Sequence, residues 1–195
     1  MVRGILIDLD GVVYVGNRAL PGSLDAIRQI RESPLPFKFI TNTTRRPRRR
    51  IVSDLAQLGL DITAQDLFTP AALARDFLAH QNLVPFLIVH PDLREDFDGL
   101  QGGGGEAVVV GDAGAFFTYD LLNKAYRKIR HGAEFLALAK NRNFLDHDGE
   151  LSLDWVLSLL GSNMLPAKRQ PCSASRRRPS LSLPWKAWGA VPRTS

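Results

Sequence analysis

The first eighty residues alternate between two hydrophobic patterns. Residues 3–9 (RGILIDL) and 37–40 (FKFI) are short apolar runs followed by polar or glycine residues, which predicts two buried strands. Between and after them, apolar residues recur three or four positions apart, which predicts amphipathic helices. Strands that alternate with helices at this spacing are typical of a parallel α/β sheet. We therefore predict a doubly wound, Rossmann-like core over residues 1–80.

Three helices are predicted within this core. The first follows Pro21 and Gly22 and should be capped by Ser23. The second carries apolar residues from Ile51 onward and should end at Gly59. The third covers residues 71–80.

The strand and helix pattern restarts near residue 83. Strands are predicted at residues 84–90, 107–111 and 135–139, and a helix at 119–129. A run of four glycines at 102–105 predicts a flexible loop between the first two strands. We interpret residues 81–153 as a second α/β unit, a cap inserted after the core.

Composition changes after Asp154. Residues 1–154 contain 18 Lys and Arg and all 20 Asp and Glu, whereas residues 155–195 contain 7 Lys and Arg and no acid. Three Trp, the single Cys172 and five of the twelve prolines also fall in the last segment. The net charge of +5 therefore comes from a basic tail at 154–195, which we expect not to pack as part of a domain.

Several classes of protein are excluded by simple features. No apolar run approaches the roughly 18 residues that a membrane span needs, and the N-terminus lacks a signal-peptide pattern. A lone cysteine cannot form an intrachain disulfide. These features predict a cytoplasmic protein that does not insert into a membrane.

Two acids and a glycine follow the first predicted strand. Ligands bind outside the carboxyl ends of parallel strands, where Asp8, Asp10 and Gly11 should lie. Asp8 is suited to attack phosphorus and to bind Mg²⁺, and Asp10 to transfer a proton. Gly11 allows a sharp turn beside the ligand. The alternative is that this DLDG sequence is only a strand-ending turn.

The second predicted strand ends in Thr41, Asn42 and Thr43. Their hydroxyl, amide and backbone N–H groups should reach the same edge of the sheet, which favours a binding site over a simple turn. A helix begins shortly afterwards, and a helix N-terminus attracts anions.

These two segments carry a family resemblance. ILIDLDGVVY at residues 5–14 and FITNTT at 39–44 resemble the first two motifs of the haloacid dehalogenase superfamily. DGVVY, the PGS that follows and TNTT resemble the subfamily with a large α/β cap, which includes 4-nitrophenyl-phosphatase-type enzymes. Residues 121–138 are similar to the branch that contains phospholysine phosphohistidine inorganic pyrophosphate phosphatase. The resemblance covers residues 2–153.

The resemblance implies a Mg²⁺-dependent phosphatase that acts on a small phosphorylated substrate. Asp8 would be the nucleophile and a metal ligand, and Asp10 the acid/base and a ligand through its carbonyl. Gly11, Thr41, Asn42 and Thr43 would bind the substrate, with Thr41 donating to a phosphoryl oxygen. The resemblance also allows a homodimer formed through the cap.

Two further motifs of the family have no match. The family uses a Lys that offsets the phosphoryl charge and a Gly-Asp pair with a second acid that completes the Mg²⁺ site. Gly111 and Asp112 lack that second acid, and Lys168 and Lys186 lie in unsuitable surroundings. We therefore expect impaired activity, and the first alternative is a catalytically dead fragment.

A shifted reading frame offers an explanation for the missing motifs. Read one base out of frame, residues 155–195 are compatible with a string that contains GPF, LEYA, GKPS and LEGLG, in the order that the family uses after its cap. Because Trp has a single codon, some residues of the shifted frame are fixed. The shifted codons that begin within Trp155, Trp185 and Trp188 must encode Gly, Glu and Gly. We predict that this segment is out of frame, with a genuine basic tail as the alternative.

A basic cluster near the second motif supports a different function. It consists of Arg45, Arg46, Pro47, Arg48, Arg49 and Arg50. Such a cluster can bind nucleic acid or another polyanion. It has no interleaved aromatic residues to stack on bases, so a solvated helix face is the favoured interpretation.

Overall fold

The computed structural model describes residues 2–139 and two further strands, Asn143–Leu145 and Leu151–Leu153. The predicted tail at 154–195 lies outside the described residues. In chain order the strands and helices are β1 Ile5–Asp8, β2 Tyr14–Val15, β3 Arg18–Ala19, α1 Ser23–Glu32, β4 Phe37–Ile40, α2 Arg48–Gln57, β5 Leu67–Phe68, α3 Pro70–His80, β6 Leu83–Ile88, β7 Gly105–Val110, α4 Tyr119–Arg130, β8 Glu134–Ala137, β9 Asn143–Leu145 and β10 Leu151–Leu153. Short 3₁₀ helices lie at Ala64–Asp66, Pro91–Phe97 and Gly114–Phe116.

The first sheet has the order β1-β4-β5, and both of its strand pairs are parallel. Its core is formed by apolar side chains from β1, β4, β5 and the two helices that follow β1 and β4. This cluster contains Leu9, Val13, Tyr14, Ile27, Phe39, Ile51, Leu55, Leu60, Ile62 and Leu67. Within the described residues β1 pairs only with β4, and Leu6 on β1 is 50% exposed.

The second sheet has the order β6-β7-β8 and is also parallel. Its central strand is buried on both faces because a helix packs on each side. Ala107 and Val109 of β7 lie in one hydrophobic cluster with α3. Val108 and Val110 lie in another cluster with α4. This two-sided burial explains the continuous apolar run in β7, which is typical of parallel strands covered by helices.

The position of α3 differs from the predicted division of the chain. We placed the boundary of the core at residue 80, after this helix. Its buried residues Ala71, Ala74 and Leu78 instead pack with Leu83 and other residues of the second sheet. By packing, α3 therefore belongs with the second unit. None of the helices in the described ranges is long and apolar enough to span a bilayer.

The prediction that Ser23 caps α1 was wrong. The helix begins at Ser23, and the capping position is taken by Gly22 with φ of 78°. The Ser23 hydroxyl donates to the carbonyls of Val13 and Leu20 at 2.9 and 2.8 Å. A capping side chain must accept a hydrogen bond, whereas the Ser23 hydroxyl donates. Through these bonds Ser23 ties the start of α1 to the loop after β1.

The glycine run at 102–105 has a packing role beyond flexibility. The amides of Gly103 and Gly104 donate to the Asn82 carbonyl at 3.2 and 2.9 Å. A Cβ on Gly102 would lie 2.7 Å from the carbonyl carbon of Leu83. Because no side chain fits at that distance, Gly102 permits the close approach of two backbone segments at the start of the second sheet.

Candidate active site

The loop after β1 is folded tightly around one carbonyl. The Leu9 oxygen accepts from the amides of Val12, Val13 and Tyr14 at 3.3, 2.8 and 3.2 Å. Leu9 itself is fully buried, so it anchors the loop between the two acids. Gly11 has φ of 77° and donates to the Tyr14 carbonyl at 2.8 Å. The predicted turn at Gly11 is therefore present, and it needs the left-handed conformation that glycine adopts without strain.

The two acids of this loop reach solvent. Asp8 and Asp10 are both exposed, on either side of the buried Leu9. Oδ1 of Asp8 accepts from the Leu9 amide at 2.9 Å. That bond orients the carboxylate and leaves its second oxygen free to face a ligand. Two accessible carboxylates therefore lie at the end of the first strand, with Asp8 as its last residue and Asp10 in the loop that follows.

The loop after β4 leaves the same edge of the sheet. The amide of Leu9 donates to the Ile40 carbonyl at 3.1 Å, and the amide of Thr41 donates to Phe68 at 3.2 Å. Thr41 is thus fixed between the ends of β1 and β5. Its Oγ1 accepts from the Thr43 amide at 3.3 Å, which leaves the hydroxyl hydrogen available to another acceptor. Asn42 is exposed, and Thr43 is partly exposed.

A third residue at this edge is already occupied with a structural role. Thr69 follows β5 and is buried, with 2% of its surface exposed. Its Oγ1 accepts from the Ala72 amide at 3.1 Å and caps α3. Thr69 therefore completes the helix and has less freedom to bind a ligand than Thr41.

The donor set at the end of β1 suits Mg²⁺. This ion prefers oxygen ligands and is commonly held by one or two carboxylates together with waters and substrate phosphate oxygens. Asp8 and Asp10 supply oxygens of that kind. Within residues 2–139, no group of three or more His, Cys, Asp or Glu is placed to hold a metal ion. Asp8 and Asp10 are the two carboxylates at the end of β1 that could bind such an ion.

Asp112 has a structural role at this edge. Its Oδ2 lies 2.8 Å from Nε of Arg45, and its Oδ1 accepts from the Gly114 amide at 3.0 Å. Its own amide donates to Oγ1 of Thr44 at 3.2 Å. Both carboxylate oxygens of Asp112 thus have partners within the described residues. Lys168 and Lys186 lie outside the described residues.

The helix N-terminus after Thr43 is not open to a ligand anion, contrary to our expectation. The backbone amide of Arg48, the first residue of α2, donates to both carboxylate oxygens of Asp96 at 3.2 and 3.1 Å. A carboxylate of the chain itself therefore satisfies the first backbone amide of α2. Burial raises the pKa of Asp96, and the Arg48 amide and the Arg48 charge oppose that rise.

The basic cluster is largely neutralised by carboxylates of the chain itself. Arg45 pairs with Asp112, Arg46 and Arg50 with Asp54, and Arg49 with Glu95. The Glu95 carboxylate raises the pKa of Arg49. Because four of the five arginines already pair with three carboxylates, we favour contacts within the fold over polyanion binding as the role of the cluster.

Sequence reasoning missed Asp96 and the 3₁₀ helix Pro91–Phe97 that carries it. One signal was available: α2 starts with three consecutive arginines and has no acidic residue in its first turn. Positive side chains at a helix N-terminus are unfavourable because that end of the helix dipole is itself positive. This implies that an acid from elsewhere in the chain lies near the start of α2. Nothing in the local pattern identifies that acid as Asp96.

The model of a known family matches this architecture. Residues 5–102 match the haloacid dehalogenase-like hydrolase family. That range includes both loops of the candidate site, β1 through β6 and the 3₁₀ helix with Asp96. The chain therefore belongs to the haloacid dehalogenase-like hydrolase family, and the resemblance of its first two motifs is confirmed.

Individual relatives agree with this assignment. The chain is 37% identical over 160 residues to phospholysine phosphohistidine inorganic pyrophosphate phosphatase of Danio rerio, a match that covers 78% of this chain and 58% of that protein. Curated relatives named as haloacid dehalogenase-like hydrolase domain-containing protein 2 match over a similar share of their length, such as 58% for the protein of Rattus norvegicus. The chain thus spans less than two thirds of the length of these relatives.

Solved structures support the fold. The 4-nitrophenylphosphatase of Thermotoga maritima superposes with a TM-score of 0.73 at 22% identity, covering 87% of this chain and 67% of that one. The glycerol phosphate phosphatase of Mycobacterium tuberculosis, solved in complex with magnesium, gives a TM-score of 0.67 at 23% identity and covers 82% of this chain and 50% of that one. The parallel α/β fold predicted from the sequence is confirmed.

Proposed function

We propose that residues 2–139 carry the nucleophile and the first two site loops of a Mg²⁺-dependent phosphatase. This enzyme hydrolyses small phosphate monoesters through an aspartyl-phosphate. One observation supports this best. The exposed Asp8 ends the first strand and the exposed Asp10 follows it, while the Thr41 hydroxyl follows the adjacent parallel strand. This arrangement provides a nucleophile, a proton-transfer group and a hydrogen-bond donor at one edge of a sheet.

Asp8 is the proposed nucleophile because one of its oxygens is fixed and the other is free. With Oδ1 held by the Leu9 amide, Oδ2 attacks phosphorus while the bond between phosphorus and the ester oxygen breaks. Asp10 donates a proton to that leaving oxygen. Water then attacks the phosphorus of the aspartyl-phosphate, Asp10 accepts the proton of that water, and inorganic phosphate and the Asp8 carboxylate are released.

Two groups stabilise the charge that develops during transfer. Thr41 donates its hydroxyl hydrogen to a phosphoryl oxygen, while the exposed Asn42 contacts the substrate nearby. Mg²⁺ bound by the Asp8 carboxylate and the Asp10 carbonyl would supply further positive charge to the phosphoryl oxygens. Phosphoryl transfer depends chiefly on positioning and electrostatic stabilisation, so each of these groups matters.

The 195-residue chain should have impaired activity. Of the three described lysines, Lys38 pairs with Asp66 at 3.2 Å. Lys124 and Lys128 lie on α4 of the second unit, where Lys128 pairs with Glu106. We assign none of them to the phosphoryl group, and we propose that a restored reading frame after residue 154 supplies the missing Lys and second metal acid. A cytoplasmic location suits an enzyme of this type.

Phosphate release from 4-nitrophenyl phosphate, with Mg²⁺ or with a chelator, tests both parts of the proposal. A gene with the frame restored after codon 154 should turn over on the order of 1 s⁻¹ or faster with Mg²⁺, as ordinary enzymes do. The 195-residue chain should be at least about a hundredfold slower, because one lost charge partner costs on that order.

The possible outcomes separate the two parts. An inactive, folded, frame-restored protein argues against the phosphatase. A 195-residue chain that matches the restored protein argues only against the impairment.

A further inference from the structure

The segment that joins β4 to α2 is held at both ends by acids of the second unit. Residues 44–48 begin directly after the site loop of Thr41, Asn42 and Thr43. The Asp112 backbone amide, after β7, donates to Oγ1 of Thr44, and the Asp112 carboxylate pairs with Arg45. The Arg48 amide donates to the carboxylate of Asp96 on the 3₁₀ helix Pro91–Phe97. We propose that Asp96 and Asp112 form a two-point clamp that docks the second unit onto this segment and so restrains the site loop. This inference does not rest on the proposed phosphatase activity.

The first point of the clamp is a closely packed ion pair. The Asp112 side chain is 13% exposed and the Arg45 side chain 34%, so their 2.8 Å contact is partly shielded from water. Beside it, a Cβ on Gly111 would lie 3.5 Å from Cβ of Thr44. The end of β7 therefore touches the segment through backbone, side-chain and charge contacts together.

The second point supplies what α2 lacks. The helix starts after Pro47, whose side chain makes no capping hydrogen bond, and its first turn carries arginines. Asp96 accepts from the Arg48 amide with both oxygens. Such a carboxylate accepts a hydrogen bond from a backbone N–H group that has no partner within the helix, and its negative charge compensates the positive end of the helix dipole. Asp96 therefore caps α2 from another unit of the fold.

Neighbouring contacts hold Asp96 in place. Arg75 of α3 donates from Nη1 to the carbonyls of Asp96 and Asp98 at 2.9 and 2.7 Å. Glu95 meets Arg49 through two bonds, from Nε at 3.2 Å and from Nη2 at 3.3 Å. The 3₁₀ helix is thus fixed to α3 behind it and to α2 in front of it. A cleft of about 420 Å³ lies between α2 and the two 3₁₀ helices Ala64–Asp66 and Pro91–Phe97, and it is lined by Arg48, Arg49, Val52, Ala64, Glu95 and Asp96.

The segment also has one tether within its own unit. Arg46 contacts Asp54 at 3.3 Å and the Tyr14 hydroxyl at 3.4 Å. If this tether held the segment alone, the acids of the second unit would be dispensable. The clamp therefore makes a distinct prediction. Weakening the contacts of Asp96 and Asp112 should speed amide hydrogen exchange in residues 42–51 while exchange in both sheets stays slow.

Hydrogen exchange of the intact 195-residue chain, followed by mass spectrometry, tests the clamp. The double variant Asp96→Asn, Asp112→Asn should exchange peptide 42–51 about tenfold faster, because hydrogen bonds to charged groups are each worth on the order of a factor of ten. Glu106→Gln is the matched control, since Glu106 pairs with Lys128 inside the second unit. It should leave peptide 42–51 unchanged.

Single variants keep the test decisive even if the double variant does not fold. Arg45→Gln removes the ion pair with Asp112, and Asp96→Asn alone weakens the contact with the Arg48 amide. Each should speed exchange in peptide 42–51 and leave β6 and β7 at wild-type rates. Wild-type exchange of that peptide in these variants, or equal acceleration by Glu106→Gln, would overturn the clamp.

Discussion

Asp8 lies directly opposite Ile40 in the parallel pair of β1 and β4. The residues that follow these two positions, Leu9 and Thr41, therefore leave the sheet side by side. The Leu9 amide extends the pairing by donating to Ile40, so the loops after β1 and β4 diverge only beyond it. This register is what brings a carboxylate and a hydroxyl from positions thirty-three residues apart to one edge.

Phe39→Ala should destabilise the first unit strongly. Phe39 is fully buried in β4, and its ring meets Phe37 edge to face with centroids 5.7 Å apart. Removing a buried aromatic ring leaves a cavity and costs about 3–5 kcal/mol of unfolding free energy. Chemical denaturation followed by far-UV circular dichroism measures the change.

Leu6→Ala is the matched control for that substitution. Leu6 lies on the neighbouring strand but is 50% exposed, so its removal should cost no more than about 1 kcal/mol. Equal losses for the two variants would mean that the burial pattern of the first sheet is not the one described.

Asp66→Asn should change how stability depends on pH. Burial raises the pKa of Asp66, but hydrogen bonds from Thr63 and the bond and charge of Lys38 outweigh it and leave the pKa below its usual value. A lowered pKa stabilises the fold above the unfolded pKa near 3.8, and that contribution disappears as pH falls through the folded value. The stability gap between wild type and Asp66→Asn should therefore be largest at neutral pH and narrow on acidification.

Denaturation midpoints between pH 3 and 7 measure this gap. Asp25→Asn provides a control that removes one negative charge from an exposed pair with Arg28 on α1. A gap for Asp66→Asn that widens as the pH falls would contradict the assigned bonds to Thr63 and Lys38.

Limited trypsin digestion tests the prediction for the tail. Residues 155–195 have no acid and carry five prolines, a composition that does not offset the entropy of ordering a chain. Trypsin should therefore cut after Arg176 and Arg177 before it cuts within residues 2–139. Fragments analysed by mass spectrometry give the order of cleavage. If these arginines survive while β-sheet segments are cleaved, the tail is folded and the shifted-frame account loses its structural consequence.

Local pattern was enough to predict the elements that hold the site. The FKFI run gives β4 at Phe37–Ile40 with its bounds as predicted, and the helix predicted for residues 71–80 corresponds to α3 Pro70–His80. These elements are visible because burial repeats with a period that the sequence records. The same pattern places Asp8 and Asp10, since Asp8 ends the strand formed by the apolar run and Asp10 follows it.

Features that depend on distant contacts or very short elements were not predicted. The hairpin of β2 and β3 has two-residue strands, although Gly16 and Asn17 between them are a usable turn signal. The bond from Arg48 to Asp96 joins residues forty-eight positions apart, and no periodicity encodes such a pairing. The role of Ser23 was mistaken because a serine before an apolar run commonly accepts as a cap, whereas here a left-handed Gly22 takes that position.

Trapping the covalent intermediate tests the identity of the nucleophile most directly. Borohydride reduces an aspartyl-phosphate to homoserine, which marks the residue that held the phosphoryl group. In the frame-restored protein with Mg²⁺ and 4-nitrophenyl phosphate, peptide mass spectrometry should find homoserine at position 8. Asp10→Asn should still allow some labelling because its loss slows release of the phosphoryl group, whereas Asp8→Asn should lose both labelling and turnover with its fold intact. Homoserine at another position, or wild-type turnover by Asp8→Asn, would contradict Asp8 as the nucleophile.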